Sequence, residues 1–199
     1  MKKKGIFIVI EGLDGSGKTT QAKILARKLR KNYDTFFTVE PSDGRIGSFI
    51  RKQILYDKTR PPVSIEALLF AADRIDHIIN QVQPALNDGK IVISDRYIYS
   101  SLAYQGSAGL HLDWIETINQ FALKPDLALF IDVSPEIVLD RLKRKKSNME
   151  KTDTQRKVYA IYEKFIEKGN LIRIDGEQPK KEVADTILKT VQTFLEKQT

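Results

Sequence analysis

The chain has 199 residues, 41% of them hydrophobic and 30% charged, with a formal net charge of +7 and no cysteine. The length fits one compact α/β domain spanning 1–199. No apolar run approaches the roughly 20 residues of a membrane-spanning helix, and the lack of cysteine excludes disulfides, thiol chemistry and Cys-ligated zinc, which fits a cytoplasmic protein. The excess of Lys and Arg either keeps solvated faces in water or meets an anionic partner, nucleic acid or small phosphates. Aromatic residues do not alternate with the basic runs as on a platform for single strands, so charge alone does not choose.

The chain opens MKKKGIFIVIEG. A basic start before an apolar run can mark a signal peptide, but this run ends at Glu11 without a small-residue cleavage pattern, so a first strand is expected over 6–10. Further apolar runs predict strands at 35–39, 91–94, 127–131 and 171–174. Helical patterns fall between them, at 18–30, 45–55, 65–86, 113–122, 135–145, 153–168 and 181–197. Ser64 is the expected N-cap of the third helix, and Asp113 with Glu116 has the spacing of a capping box. Strands separated by helices imply a parallel sheet of five strands with helices on both faces. The segment 141–152, which contains RLKRKKSNMEK, is strongly basic and lies between two helices, where a short lid would sit.

GLDGSGKT, residues 12–19, follows the first strand and opens the first helix, as a phosphate-binding loop must. Gly12, Gly15 and Gly17 let the backbone curl so that amides converge on a phosphate, and the helix N-terminus adds partial positive charge. With Ser16 and Thr20 these residues form the expected ATP-binding set. Lys18 would reach the β- and γ-phosphates, and the Thr19 hydroxyl would hold Mg²⁺. Asp14 is a negative charge inside this anion site. It is either a surface turn residue or a group facing a second substrate or a metal-bound water, and the electrostatic cost of its position favours the second.

In the helix 65–86, apolar residues recur at Leu68, Ala72, Ile75, Ile79, Val82 and Leu86, a stripe expected to face the core. At about 100° per residue, Phe70 lies roughly 200° and Arg74 roughly 240° round from Leu68, so both are expected on the opposite face. Asp95 and Arg96 follow the third strand, at the end where ligands bind open α/β sheets. They suit a magnesium-bound water and a bidentate phosphate clamp; a buried Asp–Arg ion pair explains them equally well.

DRYIYSSLAYQG (95–106), EPSDGRIGSFIR (40–51) and LLFAADR (68–74), together with the phosphate loop, resemble the thymidylate kinase family of P-loop nucleoside monophosphate kinases, over nearly the whole chain. The resemblance implies a P-loop NTPase fold and ATP-dependent phosphoryl transfer to dTMP, giving dTDP and ADP for dTTP synthesis, in a cytoplasmic enzyme that is often a homodimer, with neither membrane nor nucleic acid as partner. It implies that Phe70 stacks on thymine and Arg74 bonds its edge, that Ser101 and Gln105 contact the same edge, and that Tyr104 lies beneath the deoxyribose. Arg96 would hold the acceptor phosphate, helped by Arg51 or Arg45, with Glu40 in the same site and Asp14 near the sugar 3′-hydroxyl. Where some members carry a P-loop arginine this chain has Gly15, so a lid arginine, Arg141 or Arg144, would supply the missing cation. The catalytic set is then Lys18, Asp14, Arg96, Arg141 and Arg144. Two other readings share the phosphate loop: a kinase for another nucleoside monophosphate, and a P-loop ATPase stimulated by nucleic acid.

Overall fold

Near-continuous apolar strands need cover on both faces, and five of them lie side by side in one parallel sheet. The computed structural model describes residues 5–55, 60–144 and 152–198. Strands β1 (Ile6–Gly12), β2 (Thr35–Val39), β3 (Ile91–Asp95), β4 (Leu127–Asp132) and β5 (Ile172–Asp175) run in the order β2-β3-β1-β4-β5. The central strand β1 is sealed, with Ile8, Val9 and Ile10 each 0% exposed. Ile10 and Val39 both pair with Asp95, so β1, β2 and β3 finish close to one level. The phosphate loop, the turn at Glu40 and the Asp95–Arg96 pair therefore emerge at one edge of the sheet.

Helix α1 (Lys18–Leu29) leaves the phosphate loop and packs on the last helix, here α9 (Lys180–Glu196). Helix α2 (Arg45–Phe49) runs into a π-helical stretch, Ile50–Leu55. Helix α3 (Val63–His77) continues through a second π-helical stretch, Ile78–Val82, into α4 (Gln83–Asn87). Then come α5 (Ile98–Ser107), α6 (Leu112–Ile118), α7 (Pro135–Arg144) and α8 (Thr152–Glu167). Among the described residues no helix is long and apolar enough to cross a membrane.

The strands lie where the apolar runs predict, but the helices differ in four places. Helix α5 is not foreseen from apolar periodicity. Helix α3 begins at Val63 behind Pro62, not behind a Ser64 cap; the Pro62 carbonyl accepts from the amides of Ile65 and Glu66. Helix α6 is capped by His111 and stops at Ile118, so Asp113 and Glu116 form no capping box. The largest departure is the facing of α3. Leu68 is 49% and Ile79 63% exposed, while Arg74 is only 1% exposed. The residues turned inward are Glu66, Ala67, Ala71, Asp73, Arg74 and His77, then Ile78, Val82 and Ala85. The inward stripe of α3 is thus shifted by about one residue from the expected one. It is partly polar because its charges find partners across the chain.

Candidate active site

The phosphate loop has the backbone its glycines allow. Gly15 and Gly17 have φ of 89° and 96°, in the left-handed region, and Gly17 caps α1. A Cβ at Gly15 would also lie 3.1 Å from Leu142 Cγ and 3.4 Å from Val138, so α7 lies directly over this point of the loop. The space beside Gly15 is filled by α7, and cationic help must come from elsewhere. Arg141, in the last turn of α7, donates from Nη1 to the Ser16 carbonyl at 3.5 Å. The Arg144 side chain and residues 145–151 lie outside the described residues.

Asp14 is the hinge of the site. Its Oδ1 accepts from Lys18 Nζ at 3.2 Å and from Arg96 Nη2, so one carboxylate bridges the phosphate-loop lysine and the arginine after β3. Burial pushes the Asp14 carboxyl up, but Arg96 and then Lys18 outweigh it and hold it well below the usual carboxylate range. Burial and Arg96 push Lys18 down from its ordinary value, and Asp14 opposes them. Lys18 also donates to the Leu13 carbonyl at 3.1 Å. The Tyr104 hydroxyl accepts the Asp14 amide at 3.1 Å, and the Arg96 guanidinium lies over the Tyr104 ring, 5.1 Å from its centre.

Arg96 has φ of 72°, the one non-glycine residue in the left-handed region among the described residues. Such a backbone persists only where its surroundings hold it, and here they do: besides Asp14, the Ser94 hydroxyl donates to the Arg96 carbonyl at 2.7 Å. Its amide donates to Ile10 O at 3.0 Å, and its Nη1 donates to Ser100 Oγ at 3.1 Å. Ser100 is held in turn by Glu11, which is fully buried. Glu11 Oε1 accepts from the amides of Tyr97 and Ser100 at 2.9 and 3.3 Å; Oε2 accepts from Ser100 Oγ at 2.6 Å and Tyr162 OH at 3.0 Å. Glu11 therefore caps α5, whose own N-cap side chain makes no capping bond. Burial pushes its pKa up, and these hydrogen bonds and Arg96 oppose that rise. Glu11, Ser100 and Tyr162 are absent from the sequence-based set; the one local sign was a carboxylate closing an apolar strand next to Gly12.

Helices α3 and α5 form the second half of the site. Arg74 and Glu40 make a buried ion pair, 2.7 Å from Nη2 to Oε2. Arg74 also donates to Asn119 Oδ1 at 2.5 Å and Ser101 Oγ at 3.1 Å, and its guanidinium lies 5.2 Å from the centre of the Tyr97 ring. Glu40 further contacts His77 Nδ1 at 3.2 Å. One turn before Arg74 on α3 lies Phe70, half-buried, and one turn before that Glu66, which accepts from Gln105 Nε2 at 3.3 Å. Phe70 thus sits between two rungs that join α3 to α5. Phe70 shares a helix face with Arg74 as expected, but that face is turned into the molecule. Arg51 is anchored at the turn after β2 by Pro41 O and by Asp43 Oδ1 at 2.8 Å, while Arg45 is exposed at the start of α2. Gly47 makes room for that turn: a Cβ there would lie 2.1 Å from Ser42 O. Thr19 and Asp95 are the residues here that could hold a metal. Asp95 is 2% exposed, and its Oδ1 is buried without a hydrogen-bond partner among the described residues, the condition of an acceptor suited to a metal-bound water.

A parallel sheet with this phosphate loop, and with a second cationic centre one carboxylate away, defines a P-loop kinase of small phosphorylated acceptors. The family model for thymidylate kinase matches residues 10–187, and the chain belongs to that family. It is 46% identical over 179 residues to a probable thymidylate kinase of Pyrococcus horikoshii, covering 86% of this chain and 87% of that one. It is 44% identical over 185 residues to one from Thermococcus gammatolerans, covering 87% and 89%, and 46% identical over 170 residues to one from Methanocaldococcus jannaschii, covering 85% and 86%.

Proposed function

We propose that the chain transfers the γ-phosphoryl group of ATP to dTMP, giving ADP and dTDP, in the cytoplasm as a step toward dTTP. One observation carries this reading: Asp14 ties Lys18 of the phosphate loop to Arg96, so a donor phosphate on Lys18 and an acceptor phosphate on Arg96 would lie side by side. An oxygen of the dTMP phosphate attacks the γ-phosphorus, the bond to the β-bridging oxygen breaks, and that oxygen leaves with ADP. The acceptor is already a phosphate oxygen, so the demand on the protein is to position two polyanions and neutralise their charge.

Each side chain then has a task. Residues 12–20 hold the ATP phosphates, and Lys18 neutralises the β- and γ-oxygens. Arg96, with Arg51 in preference to the exposed Arg45, holds the acceptor. Phe70 stacks on the base, Ser101 and Gln105 meet its edge, and Tyr104 lies beneath the sugar beside Asp14. Arg74 and Glu40 act as one buried pair at the end of this pocket. When bound, Mg²⁺ neutralises charge between the β- and γ-phosphates; the Thr19 hydroxyl and Asp95 carboxylate suit it, and few protein ligands are needed because phosphates and waters supply the rest. Arg141, which reaches the Ser16 carbonyl, and Arg144 are the lid cations, in one domain that carries 141–152 as its lid. The exposed apolar face of α3 supports a homodimer.

Phosphorylation of a panel of nucleoside monophosphates with ATP and Mg²⁺ tests the reading. The expected result is a kcat/KM for dTMP at least tenfold above that for dUMP, dCMP, dAMP or dGMP. A purine monophosphate or dUMP preferred over dTMP makes the protein a kinase of a different acceptor, and hydrolysis stimulated by DNA without transfer to dTMP would favour the ATPase reading.

A further inference from the structure

The two ends of the Gln105 amide are in different situations. The residue is 3% exposed. Its Nε2 donates to Glu66 Oε1 at 3.3 Å, while its Oε1 is buried without a hydrogen-bond partner among the described residues. Glu66, 7% exposed, is itself pinned: Oε1 also accepts from Arg60 Nη2 at 2.8 Å. A carboxylate accepts and does not donate. It therefore draws the NH₂ end of Gln105 toward itself and turns the carbonyl end away. A buried acceptor without a donor calls for an explanation, and a ligand N–H is one.

We infer that Glu66 is a positioning residue that sets base selectivity by fixing the Gln105 amide with its oxygen toward the bound pyrimidine. This rests on reading the α3–α5 cleft as the dTMP pocket. Thymine carries a hydrogen at N3 and can donate it to Gln105 Oε1. Cytosine has a bare lone pair at N3, so two acceptors would face each other and both would stay unpaired. A site built to pair a ligand N–H rejects the analogue lacking it, because its own buried group is then left unsatisfied. The same contact admits uracil, which shares the N3–H, so it separates imide bases from cytosine and is blind to the 5-methyl group. The placement of Phe70 fits this division of labour. One turn from Glu66 on α3, the ring supplies stacking that any base accepts, and the Glu66–Gln105 rung supplies the choice.

Glu66→Gln tests this. It keeps the size of the side chain but offers an NH₂ as well as an oxygen, so the Gln105 amide is free to turn over. The measurement is kcat/KM for dTMP and for dCMP in both proteins. We expect the dTMP:dCMP ratio to fall at least tenfold in the variant, through a higher KM for dTMP and a lower one for dCMP, with kcat for dTMP changed less than threefold. A ratio within twofold of wild type overturns the inference, including the case where both activities drop together, as loss of a merely structural residue would cause. A wild type indifferent to dTMP overturns the pocket assignment and this inference with it, whereas a wild type that prefers dTMP beside a variant of unchanged ratio overturns this inference alone. A second measurement needs no variant. With dTMP labelled with ¹⁵N at N3 bound to the wild type, the N3 proton is expected to give a resonance sheltered from exchange with water. A proton that exchanges as fast as in free dTMP overturns the inference.

Discussion

Arg74 shows how far a residue's role depends on what surrounds it. Helical spacing places it near Phe70 and away from the Leu68 stripe, which left open whether it reads the base or ties the helix down. Its guanidinium is held by Glu40, Asn119 and Ser101 and is 1% exposed, so tethering is its first task. Removing one member of a buried ion pair leaves the other charged and unpaired, which costs about 3–5 kcal/mol. Arg74→Ala is therefore expected to lower the unfolding free energy by that order in chemical denaturation. Phe70→Ala, at a half-buried position, is expected to cost less than about 2 kcal/mol while raising KM for dTMP far more than KM for ATP. Equal stability losses in the two variants, with KM for dTMP and for ATP raised alike, would make Phe70 a folding residue and overturn its assignment to the base.

At the scale of elements, what was legible depended on whether a segment's partners were local. The strands and the phosphate loop declare themselves in continuous apolar runs and fixed glycine spacing, so their bounds come out within a residue or two. Helix α5 has a polar, tyrosine-rich sequence and takes its cap from Glu11, some ninety residues earlier, so no local pattern marks it. Helix α3 was misfaced for a related reason. Its buried side carries Glu66, Asp73, Arg74 and His77, whose partners Gln105, Ser42, Glu40 and Thr38 come from other elements. A rule that turns charge outward cannot anticipate charges that satisfy one another inside. The apolar side is thereby left outward, with Ile65, Leu68 and Ile79 48%, 49% and 63% exposed. In the homodimer proposed above, taken as twofold, each substitution counts twice, and burying one leucine contributes about 1.5–3 kcal/mol. Leu68→Glu is then expected to weaken self-association more than 100-fold, seen as a shift from dimer to monomer in sedimentation velocity, with the monomer as stable as before. A variant that stays dimeric would move the interface to another face.

Across the whole molecule, the sheet order could not be read from the sequence, because parallel neighbours are joined through helices and their pairing is settled by packing. Yet that order brings the cations together: β1 and β3 lie adjacent and place Lys18 and Arg96 at one edge. Part of the chain's basic surplus lies beside the same edge. A groove of about 650 Å³ between α1 and α9 is lined by Lys23, Arg27, Lys28, Lys180 and Lys181 and begins at Thr20, next to the phosphate loop. Both substrates are polyanions, so this field should hasten their capture more than their reaction. Exposed charges are screened over about 10 Å at ~0.1 M salt and about 3 Å at ~1 M, whereas Lys18, 5% exposed, acts at contact distance and is shielded from salt. Raising KCl across that range at fixed free Mg²⁺ is therefore expected to raise KM for both ATP and dTMP several-fold while kcat changes less than twofold. A kcat that collapses while both KM values hold would show that the exposed cations act in the transfer step itself, and would move the groove from capture to catalysis.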